Sequence, residues 1–157
     1  MREEIISVAV KYVALAELAE PDRKLCEEAM EATYRSYAPY SNFNVGAAIR
    51  VEGGDIVTGA NQENVAFPSG TCAERTACFY AHAAYPDRKF EAIAIAGRNS
   101  DGCLTAIPTA PCGACRQALL QYELLAGHPV TVFLVSGTEV AVVPSVRALL
   151  PLAFTDF

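Results

Sequence analysis

The stretch "TCAERTACF", residues 71–79, places Cys72 two positions before Glu74 near the start of a predicted helix. Further along, "APCGACRQ", residues 110–117, supplies two more cysteines three positions apart. Residues three apart on a helix lie on one face, so Cys112 and Cys115 can chelate the same ion. Because Cys72 begins its helix in the same way, the two stretches together offer three thiolates for one metal site.

Three thiolates match the ligand count of a catalytic zinc site. Structural zinc sites fill four positions with protein ligands, whereas catalytic sites use three and leave one position for water. The remaining cysteines, Cys26, Cys78 and Cys103, belong to no comparable motif and are interpreted as small apolar side chains. A redox dithiol or a structural zinc knuckle at Cys112 and Cys115 is the alternative interpretation.

Glu74 has a different predicted task from the cysteines. Residues two apart on a helix point to different sides, so Glu74 is badly placed to bind the same ion as Cys72. A carboxylate that reaches the water of a zinc site can instead act as a general acid and base. The negative charge of three thiolates needs an offset, which two helix N-termini and Arg75 can provide.

The pattern of apolar residues predicts strands that alternate with helices. A strand is expected at residues 6–12, although residues 13–18 could equally form a helix. Further strands are expected in a hairpin "NVGAAIRV"–"EGGD"–"DIVTGAN", and in "EAIAIAG", "VTVFLV" and "EVAVV". Helices are expected from Pro21 to Pro39, from Cys72 to Tyr85, from Pro111, and in "PSVRALL". A chain of 157 residues fits one domain, 1–157. The predicted fold is a three-layer α/β/α sandwich with a mixed five-stranded sheet.

Charge and composition exclude several classes of protein. A net charge of −6 without a basic stripe argues against nucleic acid as a partner. The apolar opening "MREEIISVAVKYVALAEL" is interrupted by Glu3, Glu4 and Lys11, which argues against a signal peptide or membrane span and favours a cytoplasmic protein with reduced cysteines. The chain has 52% hydrophobic and 19% charged residues, so we expect exposed apolar surface that subunit contacts could cover.

Four stretches in order along the chain carry a family resemblance: "APYSNFNVGAAI" from residue 38, "GANQENVAFPSGTCAERTA" from residue 59, "APCGACRQ", and "LLPLAF" ending at residue 154. They resemble the zinc-dependent cytidine deaminases, and among these the small homotetrameric class with three cysteine ligands. The resemblance implies hydrolytic deamination of free cytidine and deoxycytidine to uridine and deoxyuridine, with release of ammonia, as in pyrimidine salvage.

The resemblance also implies a role for each site residue. It implies one zinc ion per chain, held by Cys72, Cys112 and Cys115. Glu74 is the implied proton shuttle, and Arg75 the implied hydrogen-bond donor to the ligand thiolates. The implied nucleoside-binding residues are Phe43 beside the pyrimidine, Asn61 and Glu63 on the ribose, the Ala73 backbone N–H on the base, and Phe154 from a neighbouring subunit.

The chain departs from the family pattern at Asn44, where many relatives have proline, and at Phe67, where tyrosine is common. The loop 98–110 is also longer than usual. Two other functions are alternatives: deamination of a nucleoside antibiotic such as blasticidin S, and a non-enzymatic structural zinc module. The "NQEN" segment favours an ordinary nucleoside, and a structural module requires a fourth protein ligand. Editing of a polynucleotide is disfavoured by the acidic charge.

Overall fold

The computed structural model describes residues 1–155. Its strands are β1 (Lys11–Val13), β2 (Asn44–Val51), β3 (Ile56–Ala60), β4 (Phe90–Arg98), β5 (Thr131–Val135) and β6 (Val140–Val143). Its α-helices are α1 (Glu20–Ala32), α2 (Ala73–Ala84) and α3 (Gly113–Ala126). Short 3-10 turns lie at Leu15–Glu17, Thr33–Arg35, Phe67–Ser69 and Arg147–Leu149.

The strands form one mixed sheet in the order β1-β6-β5-β4-β2-β3. Only β4 and β5 run parallel, and the other four pairs are antiparallel. Helix α1 packs on one face of the sheet, and α2 and α3 pack together on the other. The predicted three-layer sandwich is therefore confirmed.

Strand β4 shows how the sequence separates the two faces. Ile93 and Ile95 belong to the apolar cluster under α2 and α3, whereas the alternate residues Ala92, Ala94 and Ala96 belong to the cluster under α1. Side chains alternate between the faces of a strand, so the small alanines all meet α1 and allow that helix to lie close to the sheet.

Two glycines mark the closest approaches of helix to sheet. A Cβ atom at Gly46 of β2 would lie 2.2 Å from the Ala29 carbonyl oxygen of α1. On the other face, a Cβ atom at Gly59 of β3 would lie 2.5 Å from the Ala77 nitrogen of α2. Both helices therefore rest on backbone that carries no side chain, and the start of α2 is held against β3.

The predicted hairpin is confirmed. Gly53 and Gly54 connect β2 to β3 with φ angles of 91° and 88°, a conformation that glycine adopts without steric cost. The sheet, however, has six strands and not the predicted five. The strand expected over residues 6–12 is present only as β1 at Lys11–Val13, which adds the sixth strand by pairing with β6 at the edge.

Two further predicted elements are wrong in extent. "PSVRALL" forms only a 3-10 turn at Arg147–Leu149, because Pro144 and Pro151 leave too few residues between them for a stable helix. The Glu123 carboxylate of α3 accepts hydrogen bonds from the Val146 and Arg147 N–H groups at 2.7 and 3.1 Å. Helix α1 ends at Ala32 and continues as a 3-10 turn, well before Pro39. Among residues 1–155, no helix is both long and apolar enough to cross a membrane.

Candidate functional site

Two helix starts bring the three predicted cysteines together. Cys72 is the N-cap of α2, and Cys112 is the N-cap of α3, with Cys115 in the first turn of α3. Because α2 and α3 pack side by side, the three Sγ atoms lie within 4.8 Å of one another. Cys115 is buried and Cys112 is exposed, so the group reaches from the core to the surface.

The surroundings of the cysteines favour negative charge. The N-terminal ends of α2 and α3 carry partial positive charge, and both point at the cluster. A guanidinium nitrogen of Arg75 lies 3.7 Å from Cys72 Sγ. A hydrogen bond from the Cys115 thiol lowers the pKa of Cys72 to about 5, with Arg75 acting in the same direction. The same contact raises the pKa of Cys115.

This donor set fits a zinc ion. Thiolates are preferred ligands of zinc, and the close approach of three sulfur atoms matches a single shared ion. Within residues 1–155, no further histidine, cysteine, aspartate or glutamate joins the group. The group therefore has the three protein ligands of a catalytic site and lacks the fourth that a structural site requires.

Glu74 is buried beside the cysteines, with 4% of its surface exposed. It lies in the first turn of α2, two residues after Cys72. Burial raises the pKa of the Glu74 carboxyl above its ordinary value. A carboxyl group whose pKa is raised by burial holds a proton more readily, as a general acid and base requires.

A cleft of about 320 Å³ opens next to the cysteine cluster. Cys72 and Arg75 form its end nearest the cluster, and Asn61, Glu63 and Tyr40 are among its other walls. Tyr40 meets the exposed Phe67 edge-on, with 5.4 Å between ring centroids. Aromatic and polar groups thus share the walls of one pocket, as expected for a small polar ligand with a flat ring.

The Asn61 side chain is held by three hydrogen bonds. Its Oδ1 accepts from the Val45 N–H at 2.8 Å and from the Ser36 hydroxyl at 2.6 Å, and its Nδ2 donates to the Phe43 carbonyl at 2.9 Å. A primary amide has two N–H donors, so one N–H of Asn61 is left for a ligand.

The Glu63 carboxylate is fixed by the loop that contains "APYS". It accepts hydrogen bonds from the backbone N–H groups of Tyr40, at 2.8 Å, and Ser41, at 3.3 Å. Hydrogen bonds from the Ser41 side chain and from the Tyr40 backbone lower the pKa of Glu63 below its ordinary value. The group is therefore an ionised acceptor in the cleft at neutral pH.

The three other predicted residues lie in three different places. Ala73 is the first residue of α2 and is buried. The ring of Phe43 lies beside Gly97 of β4, where its Cζ would be 2.9 Å from an added Cβ. Phe154 lies apart from the cleft, in a groove between α2 and α3 that also includes Phe79 and Tyr122. We call this the α2–α3 groove.

Comparison with known proteins agrees with this geometry. Residues 19–126 match the family described as the cytidine and deoxycytidylate deaminase zinc-binding region. The chain belongs to this deaminase family. The matched part contains the three clustered cysteines and Glu74, together with Asn61 and Glu63. The family places the chain among the zinc-dependent hydrolases that act on carbon–nitrogen bonds.

Individual members of the deaminase family show the same relationship. The cytidine deaminase of Halalkalibacterium halodurans is 41% identical over 97 residues, which cover 62% of this chain and 68% of that protein. The cytidine deaminase of Mycobacterium tuberculosis is 39% identical over 105 residues, covering 65% and 74%. The crystal structure of cytidine deaminase from Burkholderia pseudomallei superimposes with a TM-score of 0.71 at 41% identity, covering 83% of this chain and 97% of that one.

Sequence reasoning missed the residues that orient Asn61 and Glu63. Tyr40 and Ser41 lie within the recognised "APYSNFNVGAAI" motif, but the sequence gives no sign that their backbone N–H groups hold Glu63. Ser36 precedes that motif, and nothing in the sequence around it indicates a contact with Asn61. Its contact with Asn61 joins residues 25 positions apart and depends on the fold.

Proposed function

We propose that this chain hydrolyses free cytidine and deoxycytidine to uridine and deoxyuridine with release of ammonia. The observation that carries the proposal is the cluster of three cysteine Sγ atoms within 4.8 Å of one another, beside a buried glutamate and an open cleft. Membership of the deaminase family supports the reaction type. The proposal treats residues 1–157 as one catalytic domain.

In this proposal Cys72, Cys112 and Cys115 hold one zinc ion per chain. A zinc ion held there would acidify a water molecule and so supply the nucleophile for C4 of the base. Arg75, at 3.7 Å from Cys72 Sγ, donates to the ligand thiolates and offsets part of their charge. The two helix N-termini add to this offset, which keeps the site from becoming too electron-rich to acidify water.

Glu74 moves the protons of the reaction. It accepts a proton from the attacking water and delivers it to N3 of the base as the C4–O bond forms. It then transfers the second water proton to the amino nitrogen, the C4–N bond breaks, and ammonia leaves. Its burial at 4% exposure supports this role, because a shielded carboxyl exchanges protons with the substrate in preference to bulk water.

Asn61 and Glu63 are proposed to bind the sugar. The remaining N–H of Asn61 is a donor, and the Glu63 carboxylate is an acceptor. A hydroxyl group accepts from one and donates to the other, so a ribose hydroxyl complements the pair. The Ala73 N–H, which has no acceptor within α2 because it lies in the first turn, is proposed to hold the base, with Phe43 beside the ring.

The active form is proposed to be a homotetramer in which Phe154 enters the cleft of a neighbouring copy. Phe154 is 65% exposed and lies outside the cleft of its own chain, in the α2–α3 groove with the exposed Phe79. Apolar side chains exposed together on one face support subunit contact. A cytoplasmic location completes the proposal, supported by six cysteines that are all free thiols.

The test is conversion of cytidine by the zinc-loaded chain, followed as uridine formation and ammonia release. Glu74→Gln keeps the size of the side chain but cannot shuttle protons, so we expect turnover to fall about 10²–10⁴-fold with zinc content unchanged. Near-normal turnover by this variant would remove Glu74 from the mechanism. A zinc-loaded chain that leaves cytidine intact but deaminates blasticidin S would identify the antibiotic as the substrate, and inactivity on both would indicate a structural module.

A further inference from the structure

Ser36 lies outside every recognised motif, yet it makes a short polar contact at the cleft. It follows the 3-10 turn Thr33–Arg35 with an extended backbone, φ −64° and ψ 141°. Its hydroxyl lies 2.6 Å from Asn61 Oδ1 and is half-buried. We propose that Ser36 is a positioning residue that holds the Asn61 amide with its nitrogen available to the nucleoside, an inference that rests on the proposed function.

The direction of each hydrogen bond around Asn61 follows from the chemistry of its partners. The Val45 N–H can only donate, so the atom that faces it is the amide oxygen. The Phe43 carbonyl can only accept, so the atom that faces it is the amide nitrogen. The Ser36 hydroxyl, which faces the oxygen, must therefore be the donor in its own bond.

Ser36 thereby completes the acceptor capacity of Asn61. An amide oxygen has two lone pairs, and the Val45 N–H and the Ser36 hydroxyl occupy both. The only unused capacity of the side chain is then one N–H on Nδ2. Without the Ser36 hydroxyl the oxygen would have a vacant lone pair, and the amide would lose one of the three contacts that oppose its rotation.

The backbone around Ser36 is itself fixed to the sugar-binding segment. The Tyr37 N–H donates to the Asn61 carbonyl at 3.0 Å, and the Glu63 N–H donates to the Tyr37 carbonyl at 2.8 Å. These bonds form a short parallel bridge between the chain at Tyr37 and at Gln62. The Ser36 hydroxyl therefore approaches Asn61 from an anchored position, as a residue that orients a ligand-binding group must.

The first experiment compares Ser36→Ala with the wild-type chain on cytidine and on its 2′-deoxy, 3′-deoxy and 5′-deoxy analogues. Losing one neutral hydrogen bond should raise KM for cytidine about threefold to tenfold, with kcat and zinc content unchanged. One of the three analogues will have the lowest kcat/KM with the wild-type chain. The ratio of kcat/KM for cytidine to kcat/KM for that analogue, here called discrimination, should fall by a similar factor in Ser36→Ala. Ser36→Thr, which keeps the hydroxyl, should restore both values.

Ser145→Ala is the matched control, because the Ser145 hydroxyl oxygen accepts one hydrogen bond, from the Ala148 N–H at 3.1 Å, but lies outside the cleft. It should leave KM and discrimination unchanged. If Ser36→Ala raised KM equally for all four nucleosides, with discrimination intact, the positioning role would be overturned in favour of a general structural one.

The second experiment does not depend on catalysis. The side-chain NH₂ resonances of Asn61 in a ¹⁵N-correlated NMR spectrum should shift and exchange faster with solvent in Ser36→Ala, and Ser36→Thr should reverse the change. Unchanged resonances would overturn the proposal even in an active enzyme. If the wild-type chain did not deaminate cytidine but Ser36→Ala still changed the Asn61 resonances, the proposed substrate would be wrong. The proposal that Ser36 orients Asn61 would still be supported.

Discussion

Replacing Gly59 with alanine tests whether the sheet sets the position of the metal cluster. The added Cβ would lie 2.5 Å from the Ala77 nitrogen and 2.8 Å from the Ala73 carbonyl oxygen. Favourable contacts begin at about 3.5 Å, so α2 must retreat by about 1 Å. Since Cys72 and Glu74 belong to the start of this helix, and Cys112 and Cys115 to α3, the retreat separates the two halves of the cluster.

The expected cost has two parts. Overpacking of this kind destabilises a protein by about 1–3 kcal/mol. Displacement of groups that orient a metal ligand weakens metal binding by about 10–100-fold, and a misplacement of about 1 Å lowers turnover by about 10²-fold. Zinc affinity is measured by competition with a chromogenic chelator, stability by urea unfolding, and turnover on cytidine with excess zinc.

Gly46→Ala is the matched control on the opposite face of the sheet. Its Cβ would lie 2.2 Å from the Ala29 carbonyl oxygen, so it should destabilise the fold at least as much through α1. Zinc affinity should nevertheless stay normal, because α2 and α3 are not displaced. Gly113→Ala, with nothing within 4 Å of its added Cβ, should change neither property. A folded Gly59→Ala variant with wild-type zinc affinity and turnover would refute the reasoning.

Three further predictions concern the cysteines and the end of the chain. Alanine at Cys112 should leave purified protein with less than one zinc per chain by metal analysis, and a full complement would mean that the ligand set is wrong. Burial raises the pKa of Cys26 to about 12, above the unfolded value of 9.0, so folding favours the neutral thiol. That contribution to stability is present below pH 9 and is lost as pH rises towards 12, so the midpoint of urea unfolding should fall over this range. The fall should be less steep in Cys26→Ala. Equal slopes for the two proteins would contradict the prediction. Phe154→Ala should raise KM for cytidine, and light scattering over a dilution series should give a smaller molecular mass for this variant than for the wild-type chain. A fully active wild-type monomer would rule out a shared site.

The motifs allowed the centre of the fold to be predicted. Cysteines at two helix starts, and the glycine pair in "EGGD", specify local geometry directly, and the structure has those helices and that hairpin. The edges of the fold depend on distant partners. Alternating apolar residues predict a strand over residues 6–12, but β6 offers pairing only to Lys11, Tyr12 and Val13, so the residues before them have no ladder to join.

The same reason explains the last predicted helix. "PSVRALL" has an apolar pattern that suits a helix, but prolines at 144 and 151 bracket a segment too short to be stable alone. The N–H groups of Val146 and Arg147 are then bound by Glu123, a buried glutamate 23 residues earlier than Val146. Contacts of this kind, like that of Ser36 with Asn61, join distant positions and leave no local pattern.

The pairing of β1 with β6 has a consequence for synthesis of the chain. During synthesis, Lys11–Val13 are made about 130 residues before their partners Val140–Val143. All residues of β2 to β5 and of the cysteine cluster are synthesised before β6, so β1 has no strand to pair with until that point. Closing so large a loop costs entropy for only three paired residues, which makes this edge the last part of the sheet to form and the first to open. Formation of the central sheet and attachment of its β1 edge are therefore separate steps in the folding of a nascent chain.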